Sequence, residues 1–192
     1  FIGSDSVCLI LGDNVFYGQG FSTLLKQSSS LNLGGIIYSY KVADPKRFGI
    51  VEFDKNFKIK NIEEKPDNPK SSYAVTGIYF YDNKVIEVAK NIKPSDRGEL
   101  EITSVNQEYL KKGLLKTKIL GRGFAWLDTG TAQSLLDAGQ FVQTIEKRQG
   151  YKIACLEEIA YKNNWINQDQ LLKIIQSYKF SDYKDYLFSI IK

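Results

Sequence analysis

A chain of 192 residues with a net charge of +4, 43% hydrophobic and 25% charged, has the composition of roughly one globular domain rather than a disordered or low-complexity segment. It contains no histidine, which excludes Ser-His-Asp and Cys-His nucleophilic sites, HExxH zinc sites and His-ligated haem. Acid–base or metal chemistry here must use carboxylates, lysines, arginines, tyrosines or the backbone. The chain also lacks methionine and opens on Phe1, so an upstream segment is expected.

In chain order, the apolar run Val7-Cys-Leu-Ile-Leu11 predicts a buried strand with Cys8 as a small core residue, ended by the turn Gly12-Asp13-Asn14. Phe21, Leu24 and Leu25 predict a short helix to Ser30. Strands are expected at Gly35–Tyr40 and Gly49–Phe53, across a loop containing Asp44-Pro45. The alternating Lys58–Ile62 predicts a half-buried strand, and Ala74–Tyr81, rich in β-branched and aromatic residues, another. Helices follow around Val85–Ala89, stopped before Pro94, and at Leu100–Lys112, with Gly113 placed as the left-handed residue past its end. Lys116–Leu120 reads as a strand, and so does Phe124–Leu127. Thr131 is a plausible N-cap for a helix running to about Arg148, with Gly150 after it. Helical patterns at Leu156–Tyr161, Asp169–Gln176 and Ser181–Ile191 close the chain. This predicts an α/β fold with a mixed sheet over 1–150 and a helical C-terminal extension over 151–192.

Cys8 and Cys155 form no CxxC pair and no disulfide framework, and no apolar run reaches the roughly 20 residues of a membrane helix, so a cytoplasmic protein is expected, with no membrane partner. Residues 41–70 hold eight basic and six acidic residues, interleaved. That is a solvated surface, not the clustered basic footprint of a nucleic-acid binder.

Two carboxylates stand out by position. Asp13 follows a predicted strand directly, at the end where open α/β sheets bind ligands; the alternative is a turn or cap. Asp128 lies between a predicted strand and a helix start, where a helix cap is the alternative. Two such carboxylates could converge on one hard cation such as Mg2+, which is usually held by one or two carboxylates plus substrate phosphates. Glu63-Glu64-Lys65-Pro66 joins acceptors suited to sugar hydroxyls with a cation suited to phosphate; a solvated strand end is the alternative. Arg97 precedes a helix, and its fork suits phosphate; an exposed loop arginine is the alternative. No dinucleotide fingerprint or P-loop is present: Gly18-Gln-Gly20 lacks the third glycine. Trp126 reads as core.

Taken in order, Leu9-Ile-Leu-Gly-Asp-Asn14, Phe16-Tyr-Gly18, Arg47-Phe-Gly-Ile-Val-Glu-Phe-Asp54, Ile62-Glu-Glu-Lys-Pro66, Tyr73–Asp82, Arg97-Gly-Glu-Leu-Glu-Ile-Thr103, Gly121–Gly130 and Glu157–Tyr161 closely resemble the glucose-1-phosphate thymidylyltransferases. The resemblance implies a Rossmann-like nucleotide-diphospho-sugar transferase fold that makes dTDP-glucose and pyrophosphate from dTTP and glucose 1-phosphate, within dTDP-L-rhamnose biosynthesis. It implies Asp13 and Asp128 as magnesium ligands, and Gly49, Glu64, Val75 and Tyr79 as the glucosyl pocket. Lys65 and Arg97 would grip the sugar phosphate. Tyr17, Gly18, Arg122, Glu158 and Ile159 would belong to a regulatory nucleotide site, although Lys162 and Ala132 depart from the arginine and histidine of some relatives. A homotetramer is implied as well. The family's glycine-rich G-G-x-G-T-R-L-x-P segment does not occur in this sequence. Two alternatives therefore stay open: a sister enzyme using UTP or another sugar phosphate, and an inactive sugar-phosphate-binding or oligomerising fragment.

Overall fold

Alternating side chains on two neighbouring strands build the core of the first unit. A computed structural model describes residues 1–95 and 97–191, and its chain divides into two compact units, Phe1–Gly130 and Thr131–Lys192. In the first, strands β1 (Val7–Ile10), β2 (Asn14–Gly18), β3 (Gly35–Lys41), β4 (Gly49–Phe53), β5 (Ile59–Glu64), β6 (Tyr73–Tyr81), β7 (Leu115–Leu120) and β8 (Phe124–Asp128) are accompanied by helices α1 (Phe21–Ser29), α2 (Val85–Asn91) and α3 (Ile102–Lys111). The main sheet runs β5-β4-β6-β3-β7, with β1 on β6. The β3–β7 pair is parallel and the other pairs are antiparallel, the mixed sheet expected.

β3 and β6 read as near-continuous apolar runs because both their faces are covered. With a side-chain period of two, Ile37, Tyr79 and Tyr81 pack with Val85 and Val88 of α2 and Val105 and Tyr109 of α3. Ile36, Tyr38, Ile78 and Phe80 point the other way, to Leu24 and Leu25 of α1. Each such fully buried side chain is worth about 1.5–3 kcal/mol. Asp82, buried at the end of β6, is satisfied by the Gly34 amide at 2.8 Å, the Lys84 amide at 3.1 Å and the Tyr109 hydroxyl at 2.6 Å.

Two expectations change. The run Val7–Leu11 forms the expected strand over Val7–Ile10, but Cys8, Leu9, Ile10 and Leu11 are exposed, not core. β1 hydrogen-bonds to β6 along one edge, and among the described residues no strand pairs its other edge. Second, β2 appears where only a turn was expected. It forms a separate antiparallel ribbon with β8, in which Asn14 faces Asp128.

The second unit holds α4 (Ala132–Gln149), α5 (Leu156–Lys162), α6 (Gln168–Ser177) and α7 (Asp182–Ser189). Thr131 caps α4 in a capping box with Ser134, and Gly150 ends it with φ 72°, as the sequence predicts. The compact unit Thr131–Lys192 groups α4 with the three helices after it. Glu146 ties α4 to the segment that leads into α5, accepting from Lys152 at 2.8 Å and from the Ile153 amide at 3.0 Å. Leu171, Ile175, Leu187 and Cys155 form this unit's core. No helix among the described residues is long and apolar enough to cross a membrane.

At the start of α5, Glu157 accepts from the hydroxyls of Tyr183 (2.5 Å) and Tyr178. Burial alone would raise this carboxyl; the hydrogen bonds it accepts, from the two phenols, its own backbone amide and the Cys155 thiol, together outweigh it and hold it below its usual value of 4.5. A carboxyl depressed by folding adds stability above its unfolded pKa, and that stability is lost as pH falls through the folded value. Wild type should therefore lose more thermal stability than Glu157→Gln as pH drops from about 6 to about 3, followed by near-ultraviolet dichroism of the tyrosines. Parallel curves would remove Glu157 as a source of acid sensitivity.

Candidate active site

The ribbon brings two distant carboxylates together. Asp13 sits one residue before β2 and Asp128 ends β8, opposite Asn14. The Asp13 carbonyl accepts from the Thr129 amide at 2.7 Å and the Thr129 hydroxyl at 3.0 Å, which clamps the two segments. Asp128 is not a helix cap, because Thr131 takes that role. The Oδ2 atoms of Asp13 and Asp128 lie 3.8 and 3.7 Å from the point that a Cβ on Gly130 would occupy, so both face one small region. The Asn14 amide donates to Asp13 Oδ1 at 2.7 Å. Asn14 Oδ1 in turn accepts from Trp126 Nε1 at 2.6 Å and from the Gly77 amide at 3.2 Å. Asp13 is thus oriented with its Oδ2 turned toward Asp128. Among the described residues no group of three or more carboxylate, thiol or imidazole ligands converges. Two carboxylates with room for substrate oxygens fit magnesium, which completes its shell with water and phosphate.

Beside the pair opens a cleft of about 280 Å3, just under the roughly 300–1,000 Å3 usual for ligand sites and suited to a monosaccharide phosphate. Gly49, Glu64, Lys65, Val75 and Tyr79 line it together with Asp13 and Asp128. Gly49 and Glu64 are register partners on β4 and β5. Thr103 of α3 donates to Glu64 Oε2 at 2.5 Å, fixing that carboxylate. A Cβ on Gly49 would come within 3.0 Å of the Thr103 hydroxyl and 3.1 Å of Glu64 Oε2, so glycine leaves the acceptor its place. Burial, with the Glu64 and Asp13 charges adding to it, pushes the Tyr79 phenol far up, so it remains a proton donor at neutral pH. Lys65 directly follows β5 in a left-handed conformation, φ 40°, with its amide on the Phe48 carbonyl at 3.1 Å. Such strain in a non-glycine residue is common at functional sites. A larger open groove of about 530 Å3 between α2 and α3 is lined by exposed lysines and by none of the candidate residues.

Arg97 does not join this cleft. Its guanidinium lies 3.0 Å from Glu99 and 3.6 Å from Glu101, in its own loop. Tyr17 and Gly18 lie on β2, where a Cβ on Gly18 would fall 2.3 Å from the Phe124 ring; that glycine serves close packing. Arg122 is exposed in the turn between β7 and β8. In the other unit, Glu158 is buried and accepts from Lys162 at 2.5 Å and from Tyr186, while Ile159 is exposed. Sequence reasoning missed Asn14, Arg47, Phe48, Thr103 and Trp126, all on the cleft wall. Trp126 is half-buried there, with its indole N–H on Asn14, rather than core. Its place two residues before Asp128 on one strand, hence on the same face, was the available signal.

A mixed α/β sheet thus places a carboxylate pair beside a sugar-sized cleft with a cationic rim, a donor and acceptor set whose chemistry suits a phosphorylated ligand. The family model described as nucleotidyl transferase matches residues 1–145, and the chain belongs to that family. Over its whole length it is 53% identical to a glucose-1-phosphate thymidylyltransferase of Neisseria meningitidis, of which it covers 67%. Against the enzyme of the same name from Mycobacterium tuberculosis it is 51% identical, covering 66% of that protein. The chain thus spans about two thirds of the length of these curated relatives. A Bacillus anthracis crystal structure described as a glucose-1-phosphate thymidylyltransferase with a bound sucrose matches with a TM-score of 0.63 at 44% identity, over 73% of this chain and 56% of that one. UDP-glucose pyrophosphorylase complexed with UDP-glucose matches with a TM-score of 0.62 over 74% of this chain and 58% of that one; at 20% identity it shares the fold alone.

Proposed function

We propose that this chain carries the cation and sugar-phosphate sites of a glucose-1-phosphate thymidylyltransferase, which converts dTTP and glucose 1-phosphate into dTDP-glucose and pyrophosphate. The observation that carries this reading is the convergence of Asp13 and Asp128 in a cleft that Gly49, Glu64, Val75 and Tyr79 also line. The reaction forms a bond between a sugar-phosphate oxygen and the α-phosphorus of dTTP and breaks the bond to pyrophosphate. The attacking phosphate is already ionised, so no general base is needed, which suits a chain without histidine. The work left to the protein is bringing two anions together and holding them in line.

Asp13 and Asp128 would hold Mg2+, which when bound neutralises nucleotide phosphate charge. Glu64, fixed by Thr103, accepts from sugar hydroxyls, and the Tyr79 phenol donates to a sugar oxygen. Lys65 holds the phosphate of glucose 1-phosphate as a point charge. Arg97, held outside the cleft by Glu99 and Glu101, would have to exchange those carboxylates for phosphate oxygens to join it. The same reading expects regulatory nucleotide contacts at Tyr17, Gly18 and Arg122 and, separately in the helical unit, at Glu158 and Ile159, and a homotetramer in dTDP-L-rhamnose synthesis.

The test is formation of nucleoside-diphosphate glucose from glucose 1-phosphate with dTTP and with UTP, beside calorimetric binding of glucose 1-phosphate. Turnover with dTTP at least about tenfold above UTP is expected, a discrimination of about 1.4 kcal/mol. Preference for UTP would assign the chain to a sister activity. Binding without turnover would make it a sugar-phosphate-binding module, and neither would end the reading.

A further inference from the structure

We propose that Arg47 is an internal counter-ion that competes with the divalent cation for Asp128, so that the cation enters only as Arg47 leaves. This rests on the reading of Asp13 and Asp128 as cation ligands. Arg47 ends a short 3₁₀ turn, Pro45–Arg47, whose start is held by Asp44 accepting from the Lys46 amide at 3.3 Å. Its guanidinium meets Asp128 Oδ2 at 3.0 Å, the same oxygen that faces Asp13 across the Gly130 position. Its carbon lies 5.5 Å over the Phe48 ring, and Phe48 packs on Trp126 at 5.0 Å. The guanidinium is therefore held at the cleft wall rather than free in solution.

Two adjacent carboxylates repel each other, and a cation on Asp128 relieves that repulsion. At rest Arg47 is this cation. A divalent ion at the same oxygen would sit against a full positive charge within a few Å, so the two exclude each other. The exchange is easy in one direction: the Arg47 side chain is 49% exposed, and solvated ion pairs are weak. Once released, the fork remains on the wall of the cleft, within reach of incoming phosphate oxygens, to which it can donate two parallel hydrogen bonds. Cation binding and the position of an arginine whose fork suits phosphate are thereby linked.

The experiment is binding of Mn2+ alone, read as loss of the free-ion electron-spin-resonance signal, to wild type, Arg47→Gln, Arg47→Lys and Asp128→Asn. Removing a unit charge within a few Å in a solvated site should tighten Mn2+ binding by about fivefold in Arg47→Gln. Arg47→Lys, which keeps the charge, should stay within about twofold of wild type. Equal or weaker binding by Arg47→Gln, or no binding by either protein, overturns the proposal. Asp128→Asn tests the underlying site separately. If it binds Mn2+ as wild type does, the cation site lies elsewhere whatever Arg47 does.

Discussion

Asp128→Asn should lower turnover of dTTP and glucose 1-phosphate by at least about tenfold while leaving the fold intact. The amide keeps the size of the carboxylate but loses its charge, and with it half of the carboxylate pair. Nothing structural depends on that charge. The Thr131–Ser134 box caps α4, the Thr129 clamp uses the Asp13 backbone carbonyl, and Asn14 faces residue 128 by strand register. The only ion pair lost among the described residues is the solvated one to Arg47, worth about 0–1 kcal/mol. Activity and stability should therefore separate. The measurement is kcat against magnesium concentration together with the melting temperature. A variant within twofold of wild type at saturating magnesium would remove Asp128 from the cation site. A variant equally inactive but strongly destabilised would show that the carboxylate holds the ribbon rather than an ion.

The legible parts of this molecule are those whose physics is local. β4 begins and ends where Gly49 and Phe53 predict, and α4 starts at Thr131 and stops at Gly150, because a cap hydroxyl and a left-handed glycine act within one turn. β6 is legible because both its faces are buried, which forces a long apolar run. β2 was not legible: five residues after a tight turn become a strand only through β8, far away in the chain. The exposure of Leu9 and Ile10 was hidden for a related reason, since an apolar run records strand preference but not what covers it. At the site, Asp13 and Asp128 are legible because each stands at the end of a predicted strand, where open α/β sheets bind ligands, and Glu64 and Lys65 because they stand at and just past the end of another. Arg47 looked like any charged loop residue. Its meaning lies in an ion pair to a residue on another strand. Arg97 is the converse case: its type suits phosphate, yet its own loop supplies the carboxylates that hold it.

Gly77→Ala should cost about 2–3 kcal/mol of stability and lower turnover, although Gly77 lies in β6 with no left-handed backbone to favour glycine. The requirement is close approach. A Cβ there would sit 2.5 Å from Asn14 Oδ1 and 2.9 Å from its Nδ2. The Asn14 amide cannot step aside cheaply, since it accepts from Trp126 Nε1 and the Gly77 amide and donates to Asp13 Oδ1. The new methyl must push this amide out, which frees Asp13 to rotate away from Asp128 and leaves the indole N–H of a cleft residue without its acceptor. Asn14→Ala removes the same three hydrogen bonds from the other side, so the two substitutions should not add. In the Asn14→Ala background the methyl of Gly77→Ala enters vacated space and should cost little, giving a coupling of about 1–2 kcal/mol in a double-mutant cycle by urea unfolding. Strictly additive costs would mean that Asn14 and Gly77 act independently and that Asp13 is not oriented through this contact.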